Sequence, residues 1–199
     1  MLIRNDFEVA EPVEKVWAFF GDIPHVAACL PGAELTDSLG EDKYAGRVAV
    51  RMGPVRLQFA GTAEITERDA AAHRLVAHAA GAEEKGRGQA AMVITATLQP
   101  AGPGTRVGVS QDLQLAGAAA QYGRGMISDV TAVLMRDFSA NLAAAIAAKE
   151  RGEDPAAATA RREASGLAIG LAAARMALMR VFRRFFLPYQ APGGPARAS

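Results

Sequence analysis

Three histidines and one cysteine are the side chains in this chain best equipped for chemistry, and their spacing gives them little to do. His73 and His78 fall five apart on a stretch with strand periodicity, so they point to opposite faces and cannot share one ion. His25 forms no metal-binding set with a neighbouring Cys or acid, and no metal is expected. Cys29 stands alone, which rules out a disulfide within the chain. It has no Cys–His signature around it and reads as a buried or turn-lining thiol. Trp17 lies at helical spacing from Val13 and Phe20 and reads as core, and Asp137 reads as a solvated flank. The run Gly81 to Gly88 (GAEEKGRG) lacks the Gly-Lys-Ser/Thr ending of a phosphate loop and joins strands instead of opening a helix. It reads as a mobile hairpin tip, or alternatively as a lid or docking loop at a pocket mouth. No catalytic residue and no covalent cofactor is expected.

The elements that must position these residues follow from periodicity. Residues 2–9 alternate, with Ile3, Asn5, Phe7 and Val9 on one face. Pro12 opens a helix at a first-turn position, where its missing N–H costs nothing. Val13, Val16, Trp17 and Phe20 share one face of that helix, and a second short helix spans about 24–29. Period-two strands are predicted at 33–38, 43–52, 55–66, 73–80, 88–98 and 105–115, separated by Gly, Pro and Asp turns. Their short links favour an antiparallel meander. Over 118–149 the period becomes helical, with Tyr122, Met126, Val130, Val133, Leu134, Phe138, Leu142 and Ile146 as its stripe. The expected class is therefore α+β: a seven-stranded curved antiparallel sheet (1–149) clasping a long C-terminal helix.

The inward positions of the strands are unusually small. Gly46, Gly61, Ala63, Ala77, Ala79, Ala90 and Ala96 all fall on the predicted inner faces. Residual volume in a core costs about 24 cal/mol per Å³. Either backbones and the long helix approach closely there, or a ligand fills the space.

Charge separates the two ends of the chain. The formal net charge of +1 gives no reason to expect nucleic acid as a partner. Beyond residue 160, however, Arg161, Arg162, Arg175, Arg180, Arg183, Arg184 and Arg197 face only Glu163. Residues 150–165 read as a flexible linker, 166–188 as a separate amphipathic tail helix and 189–199 as disordered. In 166–188, Arg175, Arg180, Arg183 and Arg184 lie on one half of the wheel, and Leu178, Val181, Phe182, Phe185 and Phe186 cluster on the other. Four arginines near a bilayer centre would cost on the order of 10 kcal/mol, so a spanning helix is disfavoured. Lying in the interface, with the arginines on lipid phosphates, avoids that cost. A partner protein or the chain's own domain are the alternative docking sites. The N-terminus lacks an apolar signal region, and a cytoplasmic protein is expected.

The segment Asp22-Ile23-Pro24 through Val26-Ala27-Ala28-Cys29-Leu30-Pro31-Gly32-Ala33-Glu34 resembles the signature of CoxG, a family of carbon monoxide dehydrogenase subunits. Supporting features are Tyr44 with the run from Gly46 to Val55, the Phe59-Ala60-Gly61 step and Gly104-Thr105-Arg106. The resemblance covers about residues 1–148. It implies a START-like, helix-grip fold and a non-catalytic accessory to a molybdenum hydroxylase of the carbon monoxide dehydrogenase type, peripheral on the inner face of the cell membrane. It further implies an apolar pocket suited to a respiratory quinone, menaquinone or ubiquinone. Phe20, Val48, Leu57, Phe59, Met92, Tyr122, Met126, Val130 and Phe138 would form its wall, and Tyr122 or Gln111 could donate to the head group. A cyclase or hydratase of the same superfamily and a membrane adaptor without ligand are the competing readings.

Overall fold

A computed structural model describes residues Met1–Ala160; the expected amphipathic helix and tail lie outside the described residues, as does the end of the expected linker. The chain runs β1 (Leu2–Val9), α1 (Val13–Phe20), α2 (Ile23–Ala28), β2 (Ala33–Gly40), β3 (Lys43–Met52), β4 (Val55–Asp69), β5 (Arg74–Glu83), β6 (Gly88–Ala101), β7 (Gly104–Gly117) and α3 (Arg124–Glu150). The strands form one seven-stranded sheet in the order β1-β7-β6-β5-β4-β3-β2. Every neighbour pair is antiparallel. Hairpins of two to four residues suffice for the meander from β2 to β7, while α1 and α2 carry the chain from β1 to the far edge.

The sheet bends where it has no side chains. Gly46 is paired with Gly61, and Gly61 with Gly81, so three glycines lie in a row across β3, β4 and β5. A Cβ on Gly61 would sit 2.0 Å from the Ala80 carbonyl oxygen, well inside contact distance. Glycine here permits a backbone approach that no other residue tolerates, which is how a strongly curved sheet is made. The small inner residues therefore serve curvature as well as space.

α1 covers one end of the concave face. Pro12 precedes its first turn, and Val13, Val16, Phe19 and Phe20 are buried. The Thr105 hydroxyl, itself fully buried, donates to the Glu11 carbonyl at 2.7 Å and ties β7 to this entry. α2 is fixed to α3 by Asn141, whose Nδ2 donates to the Cys29 carbonyl at 3.0 Å.

The strand ends and the long helix differ from expectation. β4 to β7 each run several residues further, because their tips continue to pair beyond the turn signals. The helix expected from 118 begins at Arg124. Ala118–Gln121 form a 3₁₀ turn after Gly117, whose φ of 71° breaks the strand, and Gly123 precedes α3. The buried stripe also differs from the expected one. Ile127, Thr131, Phe138, Asn141, Leu142, Ala145, Ile146 and Ala148 face inward, whereas Met126 and Val133 are 44% and 47% exposed. α3 is long and apolar enough to cross a membrane by length and composition, yet here its stripe packs on the sheet.

Candidate ligand-binding cleft

The concave face of the sheet divides into a filled half and an uncovered half. On β1, β6 and β7, inner residues Val9, Ala96, Leu98, Val107 and Val109 are buried with α1, Phe138, Leu142, Ala145 and Ile146 in one apolar cluster. A second, smaller cluster gathers Ile3, Met52, Leu57 and Ile127 at the start of α3. On β3 to β5 the inner side chains of Tyr44, Val48, Ile65 and Ala79 remain half-buried, as does Met92 on β6. They belong to neither cluster. The partly buried Leu134 and the exposed Val133 lie on the flank of α3. A concave apolar surface left incompletely covered is the usual form of a small-molecule site.

The nine residues expected to form the wall divide accordingly. Leu57 is buried in the smaller cluster, against which Phe59, Tyr122 and Val130 pack. Val48 and Met92 lie on the half-buried inner surface. Phe20 and Phe138 sit within the main core; the Phe138 ring meets Phe7 edge-on, with centroids 5.9 Å apart. Met126 is turned to solvent, one position out of phase with Ile127, which takes the inward place. The structure thus places Val48 and Met92 on the uncovered half, Phe59 against the smaller cluster, and Phe20 and Phe138 within the main core.

Two polar features on the inner face stand out. Glu83, at the end of β5, pairs with Phe59 and is only 3% exposed. Its carboxylate accepts from Arg87 Nη2 at 2.9 Å and from the backbone N–H groups of Lys85 and Arg87. Hydrogen bonds from the Arg87 side chain hold its pKa down at about 2. The tip expected to be mobile is therefore clamped by its own ion pair. Beside it, Glu83, Arg87, Gly88 and Gly117 line a surface depression of about 490 Å³. The expected strand end at residue 80 leaves Glu83 out; carrying the alternation Leu75, Ala77, Ala79, Gly81 one step further reaches it. The second feature is the amide pair Asn5 and Gln111, on adjoining strands beneath α3.

Most of the remaining reactive groups are occupied. His25 Nδ1 lies 2.6 Å from Asp22 Oδ2, an i,i+3 pair whose sequence signal is that spacing alone. Partial burial pushes the Asp22 carboxyl up, but the His25 hydrogen bond and charge more than offset this and lower its pKa. The pair lies against Phe19, with ring centroids 6.3 Å apart, at the α1–α2 corner. Cys29 is fully buried, its thiol donates to the His25 carbonyl, and burial pushes its pKa up to about 12, which makes it a poor nucleophile. His78 is exposed on the outer face and His73 stacks edge-on against Trp17. Among the described residues, no group of three or more His, Cys, Asp or Glu is placed to hold a metal ion.

Comparison with known proteins follows this geometry. The model of the carbon monoxide dehydrogenase subunit family CoxG matches residues 6–147. No curated protein matches the sequence. Among solved structures, a conserved protein from Geobacillus kaustophilus is 22% identical with a TM-score of 0.66, covering 74% of this chain and 95% of its own. An aromatase/cyclase from Streptomyces sp. R1128 is 13% identical with a TM-score of 0.54, covering 75% of this chain and 94% of its own. A protein from Thermus thermophilus is 18% identical with a TM-score of 0.52, covering 73% of this chain and 99% of its own. At these identities the likeness is one of fold, and the fold is the α+β helix-grip arrangement.

Proposed function

Because the chain belongs to the CoxG family of carbon monoxide dehydrogenase subunits, we propose that it is a non-catalytic accessory protein that binds an apolar ligand in the uncovered half of its concave sheet. The observation that carries this reading is the division of the inner face, with Tyr44, Val48 and Met92 left half-buried beside a fully packed core. The ligand in this reading is a respiratory quinone, menaquinone or ubiquinone. Burying isoprenoid methylenes at about 0.8 kcal/mol each supplies affinity without many polar contacts.

The partner in this reading is a molybdenum hydroxylase of the carbon monoxide dehydrogenase type, and the family's description as a subunit of that enzyme supports it. The protein would work at the cytoplasmic face of the membrane. The sequence of residues 166–188 supports that placement, with Arg175, Arg180, Arg183 and Arg184 set toward anionic headgroups and Leu178, Val181, Phe182, Phe185 and Phe186 toward acyl chains. Quinone would then exchange between bilayer and cleft while the enzyme is held close to the membrane pool.

Uptake from vesicles tests both halves of the proposal. Anionic vesicles loaded with menaquinone are mixed with the full-length chain, and quinone is then quantified in the vesicle-free protein fraction. The expected result is protein-bound quinone, with transfer slowed in the triple variant R180E/R183E/R184E. Absence of quinone in the protein fraction, or transfer indifferent to the charge reversal, would count against the ligand or the tail respectively.

A further inference from the structure

We propose that Asn5 and Gln111 form a paired amide anchor for a carbonyl oxygen on the apolar ligand, which would reach from Met92 in the uncovered half past Ile94, the β6 partner of Gln111, to the β1–β7 side beneath α3. The proposal rests on the ligand-binding reading above and adds to it the polar site that would hold the ligand's carbonyl.

The register pairs Ile3 with Gln111 and Asn5 with Val109, so the two amides are diagonal neighbours on the inner face. They lie at the seam between the two apolar clusters. Ile3 belongs to the smaller cluster, whereas Val109 and the adjoining Phe7 belong to the main one. α3 crosses the same seam, with Ile127 in one cluster and Phe138 in the other. A seam between apolar layers is where two leucines would normally be found.

Neither amide is satisfied by its surroundings. Asn5 Nδ2 is buried and has no hydrogen-bond partner among the described residues. Gln111 is 8% exposed, and its hydrogen bond there is Nε2 to the Met135 thioether at 3.7 Å, a weak acceptor. Thr131, a further buried polar side chain of α3, turns away and donates to the Ile127 carbonyl at 2.8 Å. Buried polar groups are nearly always paired, because leaving one unpaired costs the whole desolvation of that group. Two such amides on diagonal positions under a helix could share one strong acceptor. A carbonyl oxygen from the ligand supplies it to both, and an amide in either orientation can also accept from a ligand hydroxyl.

That carbonyl could belong to a quinone ring or to an acyl ester of a lipid, and the test separates them. The full-length protein and its N5L/Q111L variant are titrated with three probes: a naphthoquinone with a short isoprenoid tail, an acyl ester of equal length and an isoprenoid hydrocarbon. We expect the variant to lose about tenfold or more in affinity for the quinone, with the hydrocarbon changed by less than about twofold. A selective loss for the ester instead supports the anchor with lipid as its source. Equal losses for all three probes, or none, overturn the anchor while leaving the cleft as a ligand site. A wild-type protein that binds none of them overturns the ligand reading and the anchor together. Folding is checked by melting, with the leucine variant expected at or above the wild-type temperature. The carbonyl stretch of bound quinone should lie lower in the wild type than in the variant, and an unchanged frequency would contradict the anchor.

Discussion

Single residues decide whether the hairpin tip at the cleft is ordered. Glu83 is buried yet charged, and the donors around it keep it so. Because its folded pKa is lowered to about 2 from an ordinary 4.5, this clamp contributes in full above pH 4.5 and is lost as the pH falls toward 2. The amides of Lys85 and Arg87 should stay protected from hydrogen exchange at pH 4.5, and their protection should fall well before global unfolding as acid is added. Glu83→Gln should remove that protection already at neutral pH. The pair is hard to read in the sequence because GAEEKGRG looks like a solvated loop, and only strand parity carried past residue 80 turns Glu83 inward. Asn5, by contrast, is placed on the correct face by simple alternation. What alternation does not show is that the amide has nothing to bond with there.

At the scale of elements, the sheet's curvature depends on the Gly46–Gly61–Gly81 row. Gly61→Val would drive a side chain into the Ala80 carbonyl, and overpacking of this kind costs about 1–3 kcal/mol. We expect a lower melting temperature and loss of amide protection centred on β4 and β5, measured by thermal denaturation and hydrogen exchange. A variant with wild-type stability would show that the sheet does not need its backbones so close. All seven strands are legible from period two, and the order of β2 to β7 follows from their short turns, whereas the place of β1 beside β7 does not. The helix start is not, because Ala118 to Gln121 carry helical residues but follow Gly117, whose positive φ dictates a separate 3₁₀ turn. Within the helix, Met126 lies at the surface instead of in the expected wall, and Ile127 takes the inward place.

Across the whole molecule, the division of labour is between a packed half and an open half of one concave face. Phe20 and Phe138 belong to the packed half, where large apolar residues at helical spacing serve the core. Val48 and Met92 mark the open half, and the clue to them is the small size of their neighbours. The basic, aromatic segment beyond residue 160 gives the sequence a second physical character, suited to a lipid surface. The most direct test of the central claim is organic extraction of the purified full-length protein, expressed in a quinone-producing host, with mass spectrometry beside the cleft-filling variant Val48→Trp. Near-stoichiometric quinone is expected from the wild type and little from a folded Val48→Trp protein. Equal quinone from both would place the ligand elsewhere, and no apolar molecule from either would contradict the claim that the open half of the sheet is a binding site.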